Sequence, residues 1–407
     1  MGTQRVASSP AKTNLVLATL FLGMFVLGSA ELLVVGVLNL IAADLRVSIP
    51  AAGRLVTLYA LGLAIGGPIL TALTIRFNRR TVLIGALVLF VLGNAVAVLT
   101  ADYGLFLAAR TLTGAVQGLF IGAAFAVGIA AAPPERMGRA MSVVVSGVAV
   151  SAALGVPVGT LVGQTLGWRG SFIAIVVFAL VTLVATLALI PSVPSLGGGA
   201  GNQARYAFAP RVLAVLFLQV LAFAALFAAM TYIVPFLGSV AGISGALVSV
   251  FLLAYGVATA VGSFGGGRYA DTNAARTLIV GSVGVAVALL MLYLAGSIAA
   301  LAALALAILG VFGLGVLPSI QYRVVSLAGP GGGLAQSLPA SAANVGIALG
   351  SAVGGLALGS AGASAPVLSG LIIAAVTIPV AWATSFLKPP AAEEAPQLAD
   401  AAVSKAV

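Results

Sequence analysis

The chain has 407 residues, of which 18 are Lys or Arg and 8 are Asp or Glu, so only 6% carry charge; 62% are hydrophobic and the mean hydropathy is +1.24. A soluble domain is about 25% charged, so this composition excludes a soluble globular fold, and its apolar content excludes a disordered chain. Apolar runs without polar alternation argue against an outer-membrane barrel and leave a polytopic helical membrane protein.

Apolar runs broken by charges and Gly/Pro clusters give these elements in chain order. After an N-terminal tail (1–13) come spans at 14–40, 51–75, 81–100, 103–130, 138–163 and 169–190, forming one six-helix bundle over 14–190. The first run is followed by many others, so it reads as a span and not as a cleaved signal peptide. Residues 191–211 are rich in Gly, Pro and Ser and read as a flexible cytoplasmic linker. Six more spans follow at 212–238, 244–268, 276–297, 298–322, 336–361 and 365–387, a second bundle over 212–387. Only Gly296 and Ser297 separate spans nine and ten. The tail 388–407 holds Pro389, Pro390, Glu393 and Glu394 and reads as disordered.

An even span count puts both termini on one side. Fourteen Lys and Arg fall on that side, against Arg46, Arg54 and Arg169 on the other, with Arg110 inside a span. This asymmetry predicts cytoplasmic termini and a multi-pass protein of a bacterial-type inner (plasma) membrane. It also accounts for the net charge of +10 without a nucleic-acid partner. The absence of Cys and His removes disulfides, thiolate chemistry and imidazole catalysis, and with them most zinc sites. No metal and no cofactor beyond a proton gradient is expected, and proton handling falls to carboxylates.

The halves resemble each other at an offset of about 195 residues. Leu154-Gly155-Val156-Pro157-Val158-Gly159 corresponds to Leu349-Gly350-Ser351-Ala352-Val353-Gly354, Gly67 to Gly262, and Arg76 and Arg80 to Asp271 and Arg276. A parallel repeat of six spans places substrate between the halves near the bilayer midplane.

Several blocks carry a family resemblance over roughly residues 14–387. They are Glu31-Leu-Leu-Val-Val-Gly36 with Asp44, Arg110-Thr-Leu-Thr-Gly114, the glycines of span five, Trp168-Arg169 with Phe172, Gly267-Arg268-Tyr269-Ala270-Asp271, Tyr232 to Leu237, and Asn344 to Gly350. In order and spacing the chain resembles the major facilitator superfamily, specifically its twelve-span drug/proton antiporter group and the arabinose-efflux-permease and chloramphenicol-exporter branch. The fold this implies is an all-α membrane protein of twelve helices in two parallel six-helix repeats. The chain departs from the pattern at Asn39, where the family usually has Pro, and at Ile75, where the loop motif normally has Asp. The second departure weakens the usual Asp-based gate of the N-half, while Arg268 and Asp271 keep the C-half copy.

Only Glu31 and Arg110 are ionisable side chains well inside a span. A buried charge costs at least ~2.5–3.5 kcal/mol in a membrane, which makes both functional candidates. Reckoned from residues 38 and 103, each lies about seven residues, ~10 Å, below the outer surface. Equal depth permits a pair, by contact or through water. Glu31 is expected to carry the coupling proton, taking it up when outward-facing and losing it inward, with Arg110 permanently charged beside it. The competing reading is a fixed pair that only locks helices.

Tyr59, Gln117, Gln219, Tyr232, Tyr255, Gln321 and Asn344 must face protein or water. They are candidates for the substrate cavity or for interhelical hydrogen bonds. The small-residue runs with Gly155, Gly159 and Gly350 let helices approach, either for packing or at a rocking interface. Pro157 is a candidate kink. Arg76 and Arg80 suit a topology signal or a gate latch, and Asp271 with Arg268 or Arg276 is the better latch candidate.

The function expected is a proton-coupled drug/H+ antiporter exporting small neutral or weakly polar compounds by alternating access, working as a monomer with the bilayer, protons and a small-molecule substrate as partners. The alternatives are a sugar or nucleoside exporter of the same superfamily, an uncoupled channel, which Glu31 argues against, and a membrane enzyme, for which one intramembrane carboxylate offers little chemistry.

Overall fold

A computed structural model of the chain describes residues 10–133, 137–193, 205–335 and 338–390. The first nine residues, most of the expected linker, the tail from 391 and the side chain of Asp271 lie outside the described residues. Among the described residues, twelve helices are long and apolar enough to cross a membrane. The first six are α1 Ala11–Asp44, α2 Ile49–Leu73, α3 Arg79–Leu99, α4 Tyr103–Ala131, α5 Ala140–Leu166 and α6 Trp168–Leu189. The second six are α7 Pro210–Ser239, α8 Ala246–Tyr269, α9 Asn273–Ala295, α10 Ala299–Ala328, α11 Leu338–Ala361 and α12 Ala365–Ser385. The chain is a multi-pass helical membrane protein. Leu73, Leu99, Phe264, Leu294 and Leu356 are widely exposed, an apolar surface that suits hydrocarbon and not water.

The helix ends follow local chemistry. Ser48, Asn78 and Asp102 accept backbone N–H bonds at the starts of α2, α3 and α4. Gly167, with φ of 78°, makes the tight link between α5 and α6. The turn at residues 296–298 separates α9 from α10 where only Gly296 and Ser297 marked a boundary. The first span extends to Asp44, past the expected end at 40, because Leu40, Ile41 and Ala42 remain packed in the bundle.

Prolines shape four of the spans. A π-helical turn, Gly62–Gly66 in α2 and Ser151–Gly155 in α5, immediately precedes the segment holding Pro68 or Pro157. A proline has no N–H for the preceding turn and its ring crowds the carbonyl four residues back, so an extra residue in the turn relieves the clash. In α7 the helix breaks at Thr231 and Tyr232 ahead of Pro235, and in α10 at Val316 ahead of Pro318.

Glycine contacts repeat between the halves. A Cβ on Gly155 would meet Ser29 Oγ at 2.0 Å and one on Gly159 would meet Leu33 at 2.5 Å, so α5 lies close on α1. In the same way Gly346, Gly350 and Gly354 face backbone carbonyls of Val220, Ala224 and Ala228, bringing α11 onto α7. Gly67 meets Gly118, and Gly262 meets Val311, joining α2 to α4 and α8 to α10. The runs in α5 and α11 therefore hold each half together.

Contacts between the halves use other pairs, chiefly α2 with α11 and α5 with α8; those of α2 with α11 lie toward the end of the bundle opposite the chain termini, called here the far end. Gly256 of α8 sits against Ala152 and Ala153 of α5, where a Cβ would come within 2.6 Å of a carbonyl oxygen. The two kinds of glycine should separate in experiment. Gly350→Leu is expected to cost about 1–3 kcal/mol or more of stability through overpacking, read as earlier thermal unfolding in detergent. Gly256→Leu should cost less stability, because the two halves can part there without unpacking either bundle, yet abolish transport by wedging α5 and α8 apart. Equal stability loss in both variants would contradict this division.

Candidate functional site

Glu31 sits in α1, thirteen residues from its end at Asp44. At 1.5 Å per residue that is about 20 Å, twice the depth expected from the shorter span. Gln117, fourteen residues into α4, lies level with it. The Gln117 side-chain N–H donates to Glu31 Oε2 at 2.6 Å, and its Oε1 accepts from the Tyr59 hydroxyl of α2. Glu31 is half-buried, whereas Gln117 and Tyr59 are buried.

Arg110 enters the same cluster from α4 and is buried. Its guanidinium does not form an ion pair with Glu31. It donates to the backbone carbonyls of Ala30 at 3.0 Å and Glu31 at 3.3 Å, and its Cζ lies 3.9 Å from the centre of the Tyr59 ring. Among the described residues the one carboxylate–cation pair is Asp44 with Arg169. The arginine thus supplies positive charge near the carboxylate, anchors α1 by its backbone and leaves the carboxylate oxygens to other partners. At the repeat offset of 195, Glu31 and Arg110 face Leu226 and Ala305, so this polar cluster belongs to the N-half alone.

The other expected cavity residues scatter. Gln219 is buried in α7 with its Oε1 unpartnered. Asn344 is buried in α11, donates to Ala340 O at 3.0 Å and leaves its Oδ1 unpartnered. Tyr255 is half-buried and Gln321 is exposed. Tyr59, Gln117, Gln219 and Tyr232 are packed too closely to face an open cavity in this conformation.

Tyr232 instead belongs to the far-end seal. Its hydroxyl donates to Ser351 O at 2.8 Å, and its ring fills the space over Gly53 of α2, where a Cβ would meet the hydroxyl at 2.0 Å. Beside it the hydroxyls of Thr57 (α2) and Ser351 (α11) are 2.7 Å apart, and Pro50 lies against Gly355 and Gly359. Tyr103 donates to Ala51 O at 2.6 Å and steadies the start of α2.

At the terminal end, Arg80 donates to Leu187 O at 2.6 Å and Arg79 to Ile75 O at 2.9 Å, while Arg76 is exposed. In this conformation Arg80 caps the end of α6 within its own half and does not latch the halves together. Arg268 is exposed, and its expected partner Asp271 has no described side chain.

Beyond this geometry, the sequence pattern of the Major Facilitator Superfamily matches residues 20–333 and, in a second match, 215–406. The chain belongs to the Major Facilitator Superfamily. Among its relatives, the uncharacterized transporter YtbD of Bacillus subtilis is 31% identical over 92% of this chain and 97% of its own. The inner membrane transport protein YdhP of Escherichia coli K12 is 32% identical over 93% and 98%. A chloramphenicol resistance protein of Streptomyces lividans is 32% identical over 62% of this chain and 66% of its own. A bacterial homolog of the human lysosomal transporter Spinster, solved inward-facing and unoccupied, shares the fold with a TM-score of 0.78 at 16% identity, covering 93% and 98% of the two chains.

In this facilitator one constellation escaped the sequence reading. Asp44 accepts bonds from Arg169 and, at 3.1 Å, from Trp168 Nε1. Arg169 also donates to Val98 O and Thr100 O, both at 3.1 Å. The group ties α1, α3 and α6 at the far end. Asp44 and Trp168-Arg169 were visible as separate family blocks, but nothing local links positions 124 residues apart.

Proposed function

We propose that the protein is a proton-coupled efflux transporter of the drug/H+ antiporter type, exporting small neutral or weakly polar compounds with Glu31 as its proton carrier. One observation carries the reading: the half-buried Glu31 carboxylate is bonded to a neutral amide while the nearby Arg110 is bonded to backbone carbonyls. A carboxylate locked in an ion pair would resist protonation. One held beside a cation but not by it responds to changes in water access and neighbours. The low charge inside the bundle suits neutral compounds, and the relative named for chloramphenicol resistance points the same way.

The excess of Lys and Arg on the terminal side puts both termini in the cytoplasm. The far end is then the outer face, and its seal closes the outward route in this conformation. In the cycle, Glu31 takes a proton when the far end is open and releases it to the cytoplasm when the seal is closed. Substrate binding favours that release.

The test uses proteoliposomes with an acid lumen and labelled chloramphenicol outside. Proton exit should drive accumulation that a protonophore abolishes. Accumulation unaffected by the protonophore contradicts coupling; uptake of sugars or nucleosides in place of chloramphenicol contradicts the substrate class.

A further inference from the structure

The C-half carries two buried amides that the proton chemistry does not use. Gln219 of α7 is 1% exposed and Asn344 of α11 is 7% exposed, and neither side-chain oxygen has a hydrogen-bond partner. The Asn344 N–H group donates to Ala340 O, so its oxygen is the side left over. Gly346 packs on the Val220 carbonyl and on Phe223. Gln219 and Asn344 therefore stand at one level on adjacent helices, nine residues into α7 and six into α11. That is about 9–14 Å from the terminal end.

Asn344 shares a face of α11 with Ser351, two turns on, which reaches Thr57 of α2, so this face looks toward the N-half. Gln219 shares a face of α7 with Phe223 and Phe227, one and two turns on, whose rings stack with centroids 6.2 Å apart. At the repeat offset of 195 the N-half has Met24 and Ala149 in the places of Gln219 and Asn344. Proton-handling side chains thus sit in one half and spare acceptors in the other. A buried acceptor without a donor is disfavoured, and proteins keep few of them.

We propose that Gln219 and Asn344 are specificity-determining acceptors for the exported compound, with Phe223 and Phe227 as the wall for its ring; this rests on the protein being an exporter of small neutral compounds. The ligand is an uncharged aromatic molecule carrying O–H or N–H donors. Amide oxygens only accept, so a compound whose polar atoms are all acceptors leaves them unpaired and is refused. The two amides are shut in here. They open to a compound arriving from the cytoplasm when the halves part at the terminal end.

The test reads thermal unfolding of the full chain in detergent, with and without saturating chloramphenicol, a neutral nitrophenyl compound with hydroxyl and amide donors. Wild type should unfold later with the compound present. Without it, Gln219→Met and Asn344→Leu should each unfold no earlier than wild type, because an apolar group replaces an orphaned oxygen. Each should nevertheless bind the compound roughly tenfold more weakly and lose most of the shift at limiting concentration. Asn94→Leu is the control. Asn94 of α3 also has an unpartnered Oδ1, but α3 packs on α4 and α6 within the N-half, and this variant should keep the full shift. Gln219→Leu and Asn344→Ala stand in for a variant that fails to fold. A full shift in either C-half variant, or its loss in Asn94→Leu, overturns the site and leaves the exporter reading standing. A lost shift joined to unfolding well before wild type makes the amide a structural group and overturns the site as well. No shift in wild type contradicts the substrate class and the site together.

Discussion

Oxidation of a Thr57→Cys/Ser351→Cys variant is expected to abolish transport almost completely, and a reducing agent to restore it. The two hydroxyls lie 2.7 Å apart on helices from opposite halves. Sulfurs in their place fall within the reach of a disulfide, which needs Cβ atoms about 3.5–4.5 Å apart. The chain has no Cys, so the bond can form in one place only. A covalent link there holds the far end shut, and alternating access stops with that end closed. Neither residue touches the Glu31 cluster, so the reduced variant should transport near the wild-type rate. Full activity while cross-linked, checked by mass shift after proteolysis, would mean that the far end does not open during transport.

The second large effect is at Arg110. Its two bonds to carbonyls of α1 are charge-assisted, worth about 1.5–3 kcal/mol each, and its stacking on Tyr59 about 2 kcal/mol when desolvated. Burial of the guanidinium opposes these gains, so Arg110→Leu should change stability less than their sum. Its effect on transport is larger, because the charge beside Glu31 disappears and α1 loses its anchor. A loss of about 3 kcal/mol in the rate-limiting step corresponds to roughly 100-fold. Arg110→Lys should not rescue, since an ammonium cannot serve two carbonyls and stack on a ring at once. The comparison needs initial rates alongside thermal unfolding. Transport within a few-fold of wild type in Arg110→Lys would reduce Arg110 to a simple point charge.

The twelve spans were legible because each is a long apolar run closed by charge or by Gly and Pro, and even the turn near Gly296 came out in place. Span ends were less legible. Residues 41–44 mix apolar side chains with Asp44, and only packing in the bundle keeps them helical. Glu31 and Arg110 stood out as lone charges in apolar runs. Their partners did not: Gln117 and Tyr59 looked like any polar residue in a span, and which of them meets Glu31 depends on how three helices rotate against one another. The carbonyls that bind Arg110 leave no trace in the side-chain sequence. The glycines of α5 and α11 show the same limit. Their spacing announces close helix contact, but not whether the partner helix lies in the same half.

The most direct test of Glu31 as the proton carrier compares two modes of transport in proteoliposomes of wild type and Glu31→Gln. One mode is accumulation driven by an imposed pH gradient. The other is exchange of labelled for unlabelled substrate without a gradient, using the compound that wild type accumulates. A glutamine keeps the size and hydrogen bonding of the protonated acid but cannot release a proton. The prediction is that Glu31→Gln retains exchange and loses gradient-driven accumulation. Gradient-driven accumulation equal to wild type in Glu31→Gln would contradict the assignment.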